Sequence, residues 1–319
     1  MKRTSFIFVM FMFCAIAMAQ PASTSKLGGA PGAPLRMGFG ARGMGMGNAL
    51  TAVRGGELSG YYNPALVPFQ STRTATASFG ILSLDRQMNI LGYGQDLKPT
   101  AGVFIGILNS GVSDIDGRDI NGRPTEVYST SENALIASFG TRVSNFVSIG
   151  LSAKILYYHL FEGLNSTTVG LDIGFVYSFS DQLALGGVLQ DINAKYTWDT
   201  SKLYGRDGNT TTERFPLRRR LAMSYMPEYY ESTVSAELEI IGSTSIMRLG
   251  AEMYPIEQFA LRAGVDQIDF EGNLVAKPSF GFTLKPDFGF VSSYIHYAYV
   301  LEPYSPHNIH IIALSVTFD

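Results

Sequence analysis

The feature that most constrains the fold of this chain is a strict alternation of apolar residues with small or polar ones. Between residues 167 and 179, the odd positions from Val169 to Phe179 are all apolar, whereas the even positions are mostly Thr, Gly, Asp and Ser. A β-strand points successive side chains to opposite faces, so this period of two predicts a strand with one apolar face.

Segments of this kind recur after residue 71 and predict fourteen strands. They lie near residues 72–83, 87–95, 101–110, 132–142, 146–159, 167–179, 183–195, 216–226, 232–241, 244–254, 258–267, 275–285, 288–300 and 308–318. Their predicted connections alternate in length. Short ones lie at 143–145, 180–182 and 255–257, and long polar ones run from Gly111 to Ser131 and from Tyr196 to Phe215.

Two architectures satisfy such a pattern, a soluble β-sandwich and an outer-membrane barrel. A sandwich keeps its charged face outside, whereas a membrane barrel turns its apolar face to lipid and joins an even number of strands by short turns and long loops. Only 16% of the 319 residues are charged and 46% are apolar, yet none of the apolar stretches after residue 20 is long enough for a transmembrane helix. We therefore predict an all-β fold, a transmembrane antiparallel β-barrel of about 14 strands over residues 71–319.

Residues 1–19 have the features of an export signal. A positively charged start precedes an apolar core of about a dozen residues, and Ala17 and Ala19 are the small residues that signal peptidase requires. Cleavage there would remove Cys14, the single cysteine, and leave a mature chain without a disulfide or a thiolate nucleophile. We expect localisation in a bacterial outer membrane, with membrane lipid and the barrel-assembly machinery as partners.

The final strand carries apolar residues at alternate positions up to a near-terminal aromatic residue. This arrangement resembles the assembly signal of bacterial outer-membrane barrels, with Ile312, Leu314, Val316 and Phe318 at the matching positions. Asp319 departs from the signal because it makes Phe318 the penultimate residue.

Residues 20–70 do not alternate and form a separate segment. Pro, Gly, Ala and Ser dominate up to Pro34, which predicts a flexible periplasmic lead. Two motifs follow, Ala41-Arg-Gly-Met-Gly-Met-Gly-Asn-Ala-Leu-Thr-Ala-Val53 and Tyr61-Tyr-Asn-Pro-Ala-Leu66. They resemble the amino-terminal signature of the PorV/PorQ group of outer-membrane proteins, which is related to the FadL fatty-acid transporters.

The resemblance implies a 14-stranded barrel whose amino-terminal segment enters or plugs the lumen. The candidate plug or gate residues are Gly43, Gly45, Gly47, Asn48, Tyr61, Tyr62, Asn63 and Pro64. Small residues allow the backbone to pack closely against a barrel wall, and Asn63-Pro64 favours a turn towards the first strand. A compact periplasmic cap would use the same residues, so the sequence leaves both a cap and a gate open.

Catalytic, cofactor and metal sites find little support in the sequence. Gly38, Gly40 and Gly43 match G-x-G-x-x-G, but a Pro-rich lead precedes them and antiparallel strands follow, unlike a dinucleotide fold. His307 and His310 are three apart on a strand, face opposite sides, and cannot bind one metal together. The net charge of −3 provides no basic field for nucleic acid. We expect a protein that is not an enzyme and binds no cofactor, metal or nucleic acid.

Charged residues lie on the small-residue faces of four consecutive predicted strands and should point into the lumen. They are Arg218, Arg220, Glu237, Glu239, Arg248, Glu252, Arg262 and Asp266. Opposite charges on neighbouring strands stabilise one another. They predict either an ion-pair network that stiffens the wall or a polar path that binds a substrate head group.

Three functions are compatible with these features. The first is FadL-like binding or passage of a hydrophobic ligand across the outer membrane, gated by the amino-terminal segment. The second is a PorV-like platform that binds proteins of a type IX secretion pathway, which would depend on the two long loops or the lumen. The third is a structural barrel without conductance.

Overall fold

Among the residues that the computed structural model describes, 27–228, 231–272, 274–286 and 292–318, fourteen antiparallel strands close into a barrel. The barrel strands are β1 (Arg73–Ile81), β2 (Arg86–Leu97), β3 (Ala101–Arg118), β4 (Pro124–Arg142), β5 (Val147–Phe161), β6 (Leu164–Ser178), β7 (Leu183–Ile192), β10 (Arg218–Tyr225), β11 (Ser232–Ile241), β12 (Thr244–Ile256), β13 (Phe259–Ile268), β14 (Lys277–Leu284), β15 (Ser292–Val300) and β16 (Ile309–Phe318). Each strand pairs with its neighbours in this order, and β16 pairs with β1. The predicted barrel is confirmed.

The two ends of the barrel differ in their connections. At the short-turn end, where β1 begins and β16 ends, residues 98–100, 143–146, 179–182 and 257–258 connect the strands. At the long-loop end, the longer connections are residues 193–217, 269–276 and 301–308. This asymmetry is typical of outer-membrane barrels, whose long loops face the cell exterior.

The prediction of a long loop from Gly111 to Ser131 is wrong. Strands β3 and β4 continue as a paired hairpin as far as Arg118 and Pro124. Most side chains on both faces of this extension are exposed and polar, so the sequence shows no alternation there. Backbone pairing needs no apolar face, which explains why the strands persist beyond the alternating part.

The second predicted loop, Tyr196 to Phe215, contains secondary structure of its own. Strand β8 (Lys195–Asp199) pairs with β9 (Thr210–Arg214) in a separate two-stranded sheet. Between them lie the short helix Ser201–Tyr204 and one 3₁₀ turn, Gly205–Asp207. Tyr196, Trp198 and Phe215 from this region pack as a buried aromatic group at the long-loop end.

The outer face of the barrel is apolar, as the alternation predicted. Ile149, Leu151, Ile173 and Phe175 are all exposed on the outside of β5 and β6. On β16, Ile312, Leu314 and Phe318 are exposed and Val316 is half-buried, so the proposed assembly signal lies on this lipid-facing side. Its role in assembly stays a prediction, and Asp319 lies outside the described residues.

Residues 33–70, the lumen segment, run inside the barrel. They form α1 (Ala33–Met37), α2 (Ala41–Gly45), α3 (Ser59–Tyr62) and one 3₁₀ helix, Pro64–Phe69. Backbone or side chains of this segment closely approach wall glycines on β2 through β7 and on β12 through β14, which surround it. In the described part of the chain, no helix is long and apolar enough to cross a membrane.

The segment enters the lumen from the long-loop end. Leu27 packs against Ile241, Ile246 and Leu274, which lie at that end, whereas Gln70 hydrogen-bonds to the carbonyl of Gly94 near the short-turn end. The sequence predicted a flexible periplasmic lead from Pro21 to Pro34, whereas the structure places Leu27 and Gly32 beside residues of the long-loop end. The predicted signal, residues 1–19, lies outside the described residues.

Candidate functional site

The lumen segment fits against the barrel because glycines on both partners remove side chains from the contact. Gly47 has φ +59°, and a Cβ atom there would lie 2.6 Å from the backbone nitrogen of Val265. A Cβ atom on Gly264 would in turn lie 2.1 Å from the backbone nitrogen of Gly47. Real Cβ atoms do not approach this closely, so larger residues at either position would push the segment off the wall.

The other candidate gate residues form the interior of the same segment. A Cβ atom at Gly43 would meet the hydroxyl of Tyr62, and Gly45 approaches Ala298 on β15. Tyr62 donates to the carbonyl of Phe39 at 2.8 Å and to Asn48 Oδ1 at 3.0 Å. The hydrogen bonds join α3 to the buried residues on either side of α2.

Asn48, Tyr61 and Asn63 supply the remaining polar links. Asn48 Nδ2 donates to Asp266 Oδ2 on β13 at 2.9 Å, which ties the segment to the wall. Tyr61 donates to the carbonyl of Leu35 at 2.9 Å. Asn63 Oδ1 accepts from the amide of Ala65 and caps the 3₁₀ helix that begins at Pro64.

The predicted lumen charges separate into two clusters. Arg218, Arg220, Glu237, Glu239, Arg248 and Asp266 form one connected group with three positive and three negative side chains. Arg248 lies at its centre, 3.1 Å from Glu237 and 2.6 Å from Asp266. All six are at most 6% exposed, so each charge needs the others to offset its desolvation.

Glu252 and Arg262 belong to a second cluster nearer the short-turn end. Arg42 of α2 donates to Glu252 Oε1 at 2.8 Å, and Arg262 Nε donates to Glu252 Oε2 from the opposite strand. Arg42 also donates to the carbonyl of Gly55 at 2.9 Å. The sequence did not single out Arg42, because it lies in a Gly-rich stretch without a strand pattern.

A third charged group was missed in the sequence. Lys154 Nζ lies 2.8 Å from both Asp172 and Asp191, and all three are at most 3% exposed. Lys154 and Asp172 interrupt otherwise small-residue faces of alternating strands, a signal that could have identified them. Asp191 has φ +62° at an irregularity of β7 that no alternation predicts.

We call the part of the lumen bounded by β7 and β10–β13 the charged side. The segment is anchored there: the amide of Thr51 donates to Glu237 Oε2 at 3.2 Å, and Arg218 donates to the carbonyl of Leu35 at 3.0 Å. Together with Arg42 and Asn48, these contacts give the segment four hydrogen-bonded attachments to charged wall residues.

The opposite part of the lumen, bounded by β2–β5 and β16, is the apolar side. Its buried inward side chains include Ser138, Ser148, Ser152, Lys154 and Ser315. Toward the long-loop end most of them are apolar: Met88, Ile90, Phe104, Leu108, Ala134, Ile136, Leu156, Ile309, Ile311 and Ala313. They belong to one cluster with Phe39, Leu58 and Tyr61 of the segment. A water-filled pore would have a polar inner wall, so this lining suits an apolar molecule.

A cavity of about 600 Å³ opens between the lumen segment and the wall at the short-turn end. Its lining includes Arg42, Glu57, Glu252, Arg262 and His296. Burial alone would raise the pKa of Glu57, but His296, Arg42 and Arg262 together hold that pKa below its ordinary value. Glu57 therefore stays ionised at neutral pH. Within the described ranges, no group of three or more His, Cys, Asp or Glu side chains could hold a metal ion.

No family model matches the sequence, and no curated protein matches it either. Among solved structures, the chain is similar to the Pseudomonas putida toluene transporter TodX, with 13% identity over 88% of this chain and 96% of that one and a TM-score of 0.61. The monoaromatic hydrocarbon channel CymD gives 13% identity, 88% and 97% coverage and a TM-score of 0.63.

A FadL homologue from Pseudomonas aeruginosa gives 12% identity, 88% and 98% coverage and a TM-score of 0.62. At these identities the likeness establishes a shared barrel fold, over 88% of this chain and nearly the whole length of each compared structure. The resemblance to the PorV/PorQ group, and with it the secretion platform, gains no support from these comparisons.

Proposed function

We propose that this protein binds small hydrophobic molecules in its lumen and lets them cross the outer membrane, and that the lumen segment is the gate. The observation that carries the proposal is the apolar side of the lumen, where Ile90, Phe104 and Leu108 turn inward although the outer face of the same strands is also apolar. Binding of an apolar solute to such a surface is favourable in proportion to the apolar area that it buries.

The similar solved structures support the same class of cargo. TodX is described as a toluene transporter and CymD as a monoaromatic hydrocarbon channel. Their fold is shared with this chain, and the outer membrane is the location that this fold and the predicted export signal support together. The cargo of this chain would be of the same chemical kind, small and uncharged.

The lumen segment would have to move during passage. In the structure it packs against the apolar side, with Leu58 and Gly60 directly on Phe104 and its neighbours. A molecule that enters from the long-loop end would replace these contacts with its own apolar surface. The segment would keep its position on the charged side, because its hydrogen bonds there are not replaced by an apolar molecule.

Entry of toluene into vesicles tests the proposal. The vesicles carry lipopolysaccharide in the outer leaflet, since toluene crosses phospholipid alone without a protein. We expect faster toluene entry with the folded protein than with empty vesicles, and no change for sucrose, which cannot use an apolar path. The variant Ile120→Ser changes an apolar residue at a fully exposed hairpin tip and is the control. Its rate of toluene entry should equal that of the wild type.

Equal toluene entry with and without the protein would refute the proposed passage. Entry of sucrose at a rate similar to that of toluene would indicate an open aqueous pore instead.

A further inference from the structure

The cavity at the short-turn end contains charged groups that passage of an uncharged molecule does not use. Ser71, Glu228 and Glu231 are exposed at its rim, so the cavity is accessible from that end of the barrel. Its inner part is formed by Arg262 and His296 of the wall and by Glu57 of the lumen segment.

A buried cation in this cavity has an unused donor. Arg262 is 2% exposed and gives its Nε hydrogen to Glu252, but Nη1 has no hydrogen-bond acceptor among the described residues. A buried donor without an acceptor destabilises the protein. An anionic group of a ligand in the cavity would remove this cost and would gain a charge-assisted hydrogen bond.

A carboxylate in the same cavity has an unused acceptor. Glu57 Oε1 is buried, and no described residue donates a hydrogen bond to it. The ring nitrogen Nε2 of His296 lies 3.9 Å away, beyond hydrogen-bond distance, because His296 is engaged with Thr283 at 2.7 Å and Ser315 at 3.1 Å. A cationic donor of a ligand would satisfy Glu57.

We propose that the cavity binds a small zwitterion, specifically an α-amino acid with a polar side chain. Its carboxylate would accept from Arg262 Nη1 and its ammonium group would donate to Glu57 Oε1. Arg54 Nε and Gln70 Oε1 are the other two buried side-chain atoms of the lining without hydrogen-bond partners among the described residues, and they match the acceptor and donor of a side-chain amide. Four open polar atoms therefore match four polar groups of a molecule such as glutamine.

The site is separate in space from the apolar side, although Glu57 and Gln70 belong to the lumen segment that is proposed as the gate. It lies between the lumen segment and β11–β16 and β1 at the short-turn end, whereas the apolar side is formed by β2–β5 and by the long-loop half of β16. A simple anion would satisfy Arg262 and leave Glu57 open, and a simple cation would do the reverse. Of these three classes, only the zwitterion offers a partner to both groups.

Isothermal titration of the folded mature barrel in detergent tests the site, with L-glutamine, acetate and methylammonium as probes. We expect one glutamine per barrel, with a Kd about tenfold or more below that of either single ion. Glu57→Gln should weaken glutamine binding about tenfold because it removes the partner of the ammonium group. Glu126→Gln on the exposed hairpin is the matched control and should leave the Kd unchanged.

Three results would overturn the site: no glutamine binding with a Kd below about 10 mM, equal affinity for acetate and glutamine, or an unchanged Kd in folded Glu57→Gln. If that variant does not fold, the comparison of the three probes on the wild type still decides between a zwitterion site and an anion site. Toluene entry is measured separately, so failure of this site leaves the proposed passage untouched.

Discussion

The two sides of the lumen hold the same segment by different forces. On the charged side, Arg218, Glu237, Glu252 and Asp266 bind it through directional hydrogen bonds. On the apolar side, Phe104 and its neighbours bury it mainly by packing. The hydrogen bonds there involve no charged group: Ser138 donates to the carbonyl of Gly60, Ser148 to that of Ala65, and Gln70 to that of Gly94. Packing has no required partner, so a hydrophobic molecule can take the place of the segment there, whereas the buried charges require specific partners.

This difference assigns separate tasks to the two sides. The charged side fixes the position of the segment. The apolar side is the surface that a cargo molecule would contact after it displaces the segment. Variants on the charged side should therefore reduce stability strongly, whereas small volume changes on the apolar side should alter passage with little loss of stability.

The largest effect is expected for Glu237→Ala. Glu237 lies 3.1 Å from Arg248, accepts from the amide of Thr51, and is 1% exposed. Removing it leaves buried guanidinium groups short of a partner, which costs about 3–5 kcal/mol. The urea midpoint should fall, and the folded band on an unheated gel should lose its heat resistance.

The exposed residue Glu126 provides the control, and Glu126→Ala should unfold as the wild type does. A Glu237→Ala barrel with unchanged urea midpoint and heat resistance would contradict the role of the charged cluster as an anchor.

A smaller effect is expected for Asn48→Ala, which removes one link between segment and wall. Asn48 donates to Asp266 and to the carbonyl of Met37 and accepts from Tyr62. The variant should lose about 2 kcal/mol, because Asp266 Oδ2 and the carbonyl of Met37 lose their donor. Hydrogen exchange should rise in residues 39–62 and stay unchanged in β5 and β6. A rise in hydrogen exchange of equal size throughout the barrel would show that Asn48 stabilises the wall instead.

The smallest change in stability is expected for Phe104→Leu on the apolar side. Leucine retains an apolar contact with Gly60, so the free energy of unfolding should fall by only about 1 kcal/mol. Toluene entry should become faster, because the segment separates more easily from a smaller side chain. An entry rate equal to that of the wild type, at equal protein density, would argue against the apolar side as the path.

The sequence predicted the barrel because lipid requires apolar side chains on the outer face. Where the inner face carries small or polar residues, apolar and polar residues therefore alternate along the strand. It did not predict the apolar side of the lumen. In β3, for example, Ile105 and Ile107 face outward and Phe104 and Leu108 face inward, so both faces are apolar and the period of two disappears. The same absence of contrast, with polar residues on both faces, hid the extension of the β3–β4 hairpin.

The sequence predicted those charged residues of the candidate site that lie on alternating strands and missed those in the lumen segment. Glu237 and Arg248 lie on alternating strands, and the structure places them directly opposite each other. Arg42 and Glu57 lie in a segment without regular strands, and only the folded chain brings them next to Arg262 and His296. Their partners are more than 200 residues away in sequence, a separation that local patterns do not record.

Cross-linking the lumen segment to the wall tests the central claim most directly. An ideal Cβ atom on Gly60 lies 2.5 Å from Cβ of Phe104, so a shift of about 1 Å brings Gly60→Cys and Phe104→Cys within range of a disulfide on the apolar side. The single native cysteine, Cys14, lies in the predicted export signal. Toluene entry should fall to the rate of empty vesicles when this pair is oxidised and recover on reduction. Equal entry in the oxidised and reduced states would contradict a lumen segment that must move to open the barrel.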